Sequence, residues 1–290
     1  MEELDNKLRS MQKKYKVLGI LAITFFLATI VVFVMFGAVG FVCLAGTAVS
    51  ILLLSKVQKQ YKQFYSENVI KVCIDDCSFI DGLRYEPDKG IPESTVAATG
   101  MIKTGDVIST GDLITGSYNG IAFAESSLTI EEDTGVGEDR TRSKLFGGMW
   151  LSFDLGGSFG CNMQAVSRKF RADLQRGGYS KLDKAKMPGT VIGDLCFSEE
   201  FTVYAKDEGS AVSALNGGLA SALTKLRIDN NGPVMVIILD STVHAALFTN
   251  ESAFEPSIRG KADIQSEKER VMRSLRMVTG FIDSVKNINV

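Results

Sequence analysis

Cys73 and Cys77 are spaced so that a helix brings both thiols to one face, as in half a metal site or a redox pair. A closed zinc site takes four ligands. The remaining candidates, Cys161, Cys196 and His244, stand singly and far apart, so no second pair completes the set. Cys73 and Cys77 therefore read as small apolar core residues, and their spacing alone does not assign a redox or metal role. His244 is the only histidine and lies between Val243 and Ala245 in a strand pattern. A catalytic imidazole needs a nucleophile and an orienting carboxylate. The nearest carboxylate, Asp240, belongs to a turn, so His244 reads as a partly exposed strand residue.

Three further stretches invite chemistry. Gly156-Gly-Ser-Phe-Gly160 has the glycines of a phosphate cradle, but it lacks the lysine and leads into another strand-like segment. A plain turn fits better. Glu131, Glu132, Asp133, Glu138 and Asp139 offer oxygens to a hard cation, yet without the alternating spacing of a calcium loop, so they read as a solvated loop. Arg168, Lys169, Arg171, Arg176, Lys181, Lys184 and Lys186 make a basic stretch. It reads as a solvated loop, or as a surface for anionic headgroups at about 1 kcal/mol per charge. No catalytic, cofactor-binding or metal-binding residue is assigned.

The elements that must position such groups begin with an apolar run. Val17 to Ser55 holds 39 residues without a charge. At about 1.5 Å per residue one helix of that length is roughly twice the ~30 Å core of a bilayer. Gly37 and Gly40 sit at its midpoint, and basic residues flank both ends: Lys7, Arg9, Lys13, Lys14 and Lys16 before it, Lys56, Lys59 and Lys62 after it. A hairpin of two transmembrane helices, about 17–36 and 41–55, puts both flanks on the cytoplasmic side. A signal peptide has a much shorter apolar core, and a single tilted helix with an interfacial remainder is the other alternative.

The 290 residues then divide into a membrane anchor (1–57), a juxtamembrane helix and connector (58–93) and a cytoplasmic α+β domain (94–290). With 32 basic and 34 acidic residues, the chain lacks the strongly basic surface of a nucleic-acid binder. Five scattered cysteines suit free thiols rather than a disulfide framework.

Tyr61, Tyr65, Val69, Val72 and Cys73 share a face of the juxtamembrane helix, which ends before Gly82. Arg84 to Pro92 reads as a turn-rich connector. Gly111–Tyr118 and Ile121–Glu125 form strands joined by an Asn119-Gly120 turn. Met149, Leu151, Phe153 and Leu155 alternate against Trp150, Ser152 and Asp154. Phe201–Ala205 is a strand, Ser210 caps a helix carrying Leu215, Leu219, Leu223 and Leu226, and Val234–Leu239 pairs with Val243–Phe248. A last helix from about Asp263 carries the stripe Val271, Leu275, Val278, Ile282 and Val285. This order suits an α+β fold with a mainly antiparallel sheet, a juxtamembrane helix and a C-terminal helix.

Five stretches in register carry a resemblance: Arg84–Ile91, Gly116–Glu125, Leu145–Asp154, Glu200–Asp207 and Phe254–Ser257. Behind a two-helix membrane segment, they resemble a bacterial family catalogued as a domain of unknown function, numbered thirty-one thirty-seven. The resemblance runs over nearly the whole chain and implies an inner-membrane protein with a cytoplasmic domain. It implies no catalytic residues, cofactor or metal. Gly147-Gly148 and Gly156-Gly157 make the central strand region richer in glycine than the family pattern leads one to expect.

The expectation for function is a membrane-anchored, non-enzymatic module for protein interaction or ligand sensing. Its partners would be the lipid bilayer and a protein, not nucleic acid. The competing expectation is a membrane-proximal hydrolase whose carboxylates are assembled only in the fold.

Overall fold

The computed structural model describes residues 2–36, 40–135, 140–170, 180–182, 199–249, 254–257 and 263–288. Two compact units divide the chain: Met1–Asp75 with Ala253–Met272, and Asp76–Ser252 with Arg273–Val290.

The first unit is built on α1 (Glu2–Phe36) and α2 (Gly40–Tyr65). Glu2, Glu3 and Asp5 occupy the first turn of α1, where carboxylates suit the positive end of the helix dipole. The helices are antiparallel: the Lys7 amine lies 5.0 Å from the Phe64 ring centroid, and Gly46 backs onto the Phe25 ring. A Cβ on Gly46 would come within 3.1 Å of that ring, so glycine permits the close approach. In both pairs the residue numbers add to 71, which fixes the register along the two helices.

The less exposed residues of α2, Cys43, Thr47, Ser50, Leu54, Val57, Tyr61 and Phe64, recur in steps of four and three. Leu4, Leu8, Met11, Tyr15, Leu18 and Ala22 do the same on α1. Such spacing makes the seam of a coiled coil. In the apolar part, the hydroxyls of Thr24, Thr29, Thr47 and Ser55 donate to carbonyls one turn back, so none is left bare.

Below the apolar part the seam receives the first turns of the C-terminal helix (Ile264–Lys286). Asp263 caps it by accepting the Ser266 N–H at 2.9 Å, and Asp5 of α1 accepts the Ile264 N–H at 2.7 Å. Tyr65, fully buried, donates to Glu267 Oε2 at 3.0 Å and accepts from Arg270 Nη2 at 2.8 Å. Arg270 also holds Glu267 at 2.6 Å, so the buried carboxylate and its neighbours are mutually satisfied. Burial first, and Glu267 beside it, keep the Tyr65 phenol far above its ordinary pKa. A π-helical turn, Ser66–Ile70, links α2 to α3 (Lys71–Asp76).

In the second unit the strands are β1 (Asp81–Glu86), β2 (Val107–Tyr118), β3 (Ile121–Thr134), β4 (Thr141–Asp154), β5 (Met163–Ser167), β6 (Ser180–Lys181), β7 (Phe201–Ala205), β8 (Val234–Leu239) and β9 (Thr242–Phe248). The helices are α4 (Glu93–Ala98), α5 (Glu208–Ala214) and α6 (Ala220–Asn230). Among the described residues the strands form one antiparallel sheet in the order β1-β2-β3-β4-β9-β8-β5-β7-β6. The β8–β9 hairpin is inserted between β4 and β5, in the middle of the sheet where elements pack on both faces, and its residues are buried on both. That is why Val234–Ile238 reads as a continuous apolar run and is buried throughout.

One face packs Leu128, Phe146, Trp150, Met235 and Ile237 against Ile91, Val96 of α4, Met101, Ile102 and Phe170. The other carries Phe123, Phe153 and Val243, and Phe153 meets Phe281 of the C-terminal helix edge-on at 5.8 Å. Asn119 and Gly120 both take positive φ, 50° and 80°, as a tight hairpin turn requires.

Most expected elements are present, including the antiparallel sheet, the C-terminal helix and its five-residue buried stripe. Three readings are corrected. Arg84–Glu86 is strand β1 rather than connector; it is an edge strand whose charged side chains face solvent, and the turn begins only at Pro87. Glu131–Asp133 continue β3 rather than forming a loop, because a basic partner strand matches their charges. The helix expected to start at Ser210 is capped by Asp207, whose Oδ1 accepts the Ser210 N–H at 2.6 Å. Of the apolar elements, α1 is long and apolar enough to cross a membrane, with 6% of its apolar window buried. Gly37 lies outside the described residues.

The extra glycines have different causes. A Cβ on Gly148 would overlap the Leu247 carbonyl of the neighbouring strand, whereas one on Gly157 meets nothing within 4 Å. Gly148→Ala is therefore expected to cost at least about 2 kcal/mol, and Gly157→Ala no more than about 0.5 kcal/mol. Thermal melting of the intact protein with each substitution checks the contrast.

Candidate functional site

Where β5 ends, the chain turns through Arg168 and Lys169, closed by the Phe170 N–H on the Ser167 carbonyl at 2.9 Å. Glu199 and Glu200 enter β7 alongside, and Arg168 N–H donates to the Glu200 carbonyl at 2.8 Å. Helix α6 stops at Asn231, in the left-handed region at φ 52°, and Gly232-Pro233 starts β8. Ser167 Oγ fixes this junction by accepting the Val234 N–H at 3.0 Å.

Together these segments line a cleft of about 480 Å³ with Arg168, Lys169, Arg227, Glu199 and Glu200 on its walls. Arg227 Nη2 donates to Glu200 Oε1 at 2.7 Å, and the charge contact is reinforced by Nε lying 2.7 Å from Oε2. Ile228, 60% exposed, supplies an apolar wall. The cleft thus offers both signs of charge beside an apolar contact, which suits recognition of a polar segment or small polar molecule.

The sheet interior holds a second group of polar residues. Glu125 is fully buried on β3 between Ile114 and Leu151, and neither carboxylate oxygen has a hydrogen-bond partner in the protein. Burial alone pushes it up to about 8, so at neutral pH the side chain is a neutral acid. On the opposite face, Trp150 Nε1, His244 Nδ1 and Gln164 Oε1 also lack protein partners. His244 is 7% exposed and its ring centroid is 5.9 Å from that of Trp150. Burial pulls its pKa down to about 4.

The structure separates the residues that sequence spacing brought to notice. His244 sits in central strand β9 with Ser152 as cross-strand neighbour, and it is buried rather than partly exposed because it lies on a packed face of the sheet beside the buried Trp150 ring. Asp240 lies in the β8–β9 turn with φ 54°. Cys73 is a buried thiol whose Sγ lies 3.8 Å from the Lys268 carbonyl. Burial raises the pKa of Cys77, and it raises Cys161 to about 11, so both stay protonated. Cys196 lies outside the described residues. Among the described residues no group of three or more His, Cys, Asp or Glu gathers as metal ligands would.

Asp133 is clamped by Arg140 and Arg142 at 2.6 and 2.8 Å, and Lys103 pairs with Glu132. The Arg142 hydrogen bond is the main cause holding Asp133 below its ordinary pKa. Glu138 and Asp139 lie outside the described residues. So do Arg171, Arg176, Lys184 and Lys186, while Lys181 is exposed on β6. Arg227, Glu200 and Glu125 belong to no functional motif visible in the sequence. Strict alternation from Ile121 through Phe123 places Glu125 on an inward face, which is the signal that was available.

These features define an α+β protein with one extended antiparallel sheet and an apolar helix long enough to cross a membrane. Residues 144–287 match the family described as Protein of unknown function (DUF3137). The match includes the stretches Leu145–Asp154, Glu200–Asp207 and Phe254–Ser257. No curated protein and no solved structure matches the chain.

Glu125 and His244 give opposite pH dependences. Between about 4.5 and 8 the folded protein keeps a proton on Glu125 that the unfolded chain releases, so stability falls as pH rises. Between about 6.5 and 4 the unfolded chain protonates a histidine that the fold keeps neutral, so stability falls as pH drops. From pH 6.5 to 8 Glu125 acts without His244, and Glu125→Gln is expected to flatten the decline there. Melting temperatures of native protein and variant across that range check it.

Proposed function

We propose that this protein is a membrane-anchored, non-enzymatic module that binds a protein partner or small ligand on the cytoplasmic side of a bacterial inner membrane. In this reading α1 and α2 cross the bilayer as a hairpin. The observation that supports it most is the placement of exposed apolar side chains. Among the described residues, apart from Phe79 and Ile228, the large exposed hydrophobics lie between Val17 and Met35 on α1 and between Leu44 and Leu53 on α2.

The register of the helix pair puts those two bands side by side, and a stretch from 17 to 35 is about 28 Å tall, close to the ~30 Å hydrocarbon core. Water would meet that surface at a cost on the order of 25 cal/mol per Å². Lipid removes the cost. Both polar ends leave the band on one side, and their basic flanks favour the cytoplasm. The cleft between Arg168 and Pro233 is the proposed recognition site, because it joins paired charges to an exposed Ile228.

Compartment-sensitive reporters after Ser66 and at Val290 are both expected to report the cytoplasm; an external signal at either position overturns the hairpin. Affinity capture with the intact protein and with Lys169→Glu tests the recognition reading. A partner lost on the substitution supports it, and metabolite turnover by the intact protein without any captured partner contradicts it.

A further inference from the structure

Within the helix pair the basic residues are not spread evenly. From Asn6 to Ser66 the chain has no Asp or Glu. Lys13, Lys14 and Lys16 lie on α1 just before the apolar band, and Lys56 and Lys59 lie on α2 just after it. In the antiparallel register set by Lys7–Phe64 and Phe25–Gly46, Lys56 falls level with Tyr15 and Lys59 level with Gln12. The five lysines therefore occupy four residue steps, about 6 Å along the axis.

All five are exposed, and none sits on the seam, which passes through Met11, Tyr15, Val57 and Tyr61. They consequently point away from the contact on several sides. Lys62, one turn deeper, pairs with Glu255.

We infer that these five lysines form a collar that selects anionic phospholipids around the hairpin. The inference rests on the membrane reading above. A bilayer's headgroup layer adds about 5–7 Å beyond the hydrocarbon on each side, which matches the height of the collar. A phosphate there meets ammonium groups whose stems lie along the apolar band. A zwitterionic headgroup also carries an amine, and the collar has no carboxylate to receive it. Net negative lipids, such as phosphatidylglycerol, are thus the class the collar distinguishes. Each lysine near such a surface favours binding on the order of fivefold at low salt.

The test uses the intact protein in bilayers of phosphatidylcholine with a minority of phosphatidylglycerol. Alkaline carbonate extraction comes first, and release of the protein overturns the hairpin itself. On protein that stays in the membrane, the lipid retained after mild detergent extraction is quantified. Phosphatidylglycerol enriched severalfold over the bulk, declining as salt rises, is the expected result. Replacing the five lysines by glutamine should return the ratio to the bulk value without lowering the melting temperature. A bulk ratio in the native protein, or enrichment unchanged by salt, overturns the collar while leaving the anchor standing. Displacement of phosphatidylglycerol by millimolar inorganic phosphate overturns lipid selectivity, because the site would then be reading the free anion.

Discussion

The pairing of β4 with β9 holds the sheet domain together. On one side of that joint lies the meander β1 to β4, built from local hairpins. On the other lie strands drawn from the later part of the chain. Gly148 to Asp154 run against Phe248 to Thr242, and the two halves of the core meet along that line. Trp150 packs over one face of the joint and Phe153 anchors the C-terminal helix on the other. Without this pairing each half would expose a bare edge of apolar strand, the arrangement natural sheets avoid.

Local rules made much of this architecture readable. The Asn119-Gly120 turn, the alternation in β4 and the stripe on the C-terminal helix each obey a short-range period, and each lies where the period puts it. The errors came where an element's identity depends on a distant partner. Arg84-Tyr-Glu looked like a connector because prolines follow it, and it is a strand only because β2 lies beside it. Glu131–Asp133 looked too acidic for a strand until Arg142 and Lys103 are seen opposite. The joint itself was invisible, since nothing near Gly148 in sequence announces the Leu247 carbonyl that excludes a side chain there.

The candidate site was less legible still. The basic stretch pointed to Arg168 and Lys169, but Arg227 and Glu200 reach the cleft from separate elements. His244 and Glu125 illustrate a different limit. Each sits at an inward position dictated by strand period, and each is held neutral by the surrounding hydrocarbon rather than by a partner. Natural cores usually satisfy such groups. Here the sheet tolerates them on opposite faces, so the domain's interior charge state is set by burial alone.

Helix α1 runs from Glu2 to Phe36 without a proline or any interruption, through its polar end and its apolar band alike. Its length is about 52 Å at the usual rise. Unbroken hydrogen bonding leaves no hinge between its apolar part and its polar part. In the proposed membrane setting α1 is therefore a lever. A change in bilayer thickness that alters its tilt swings the Glu2 end sideways, carrying the Asp5 cap of the C-terminal helix with it.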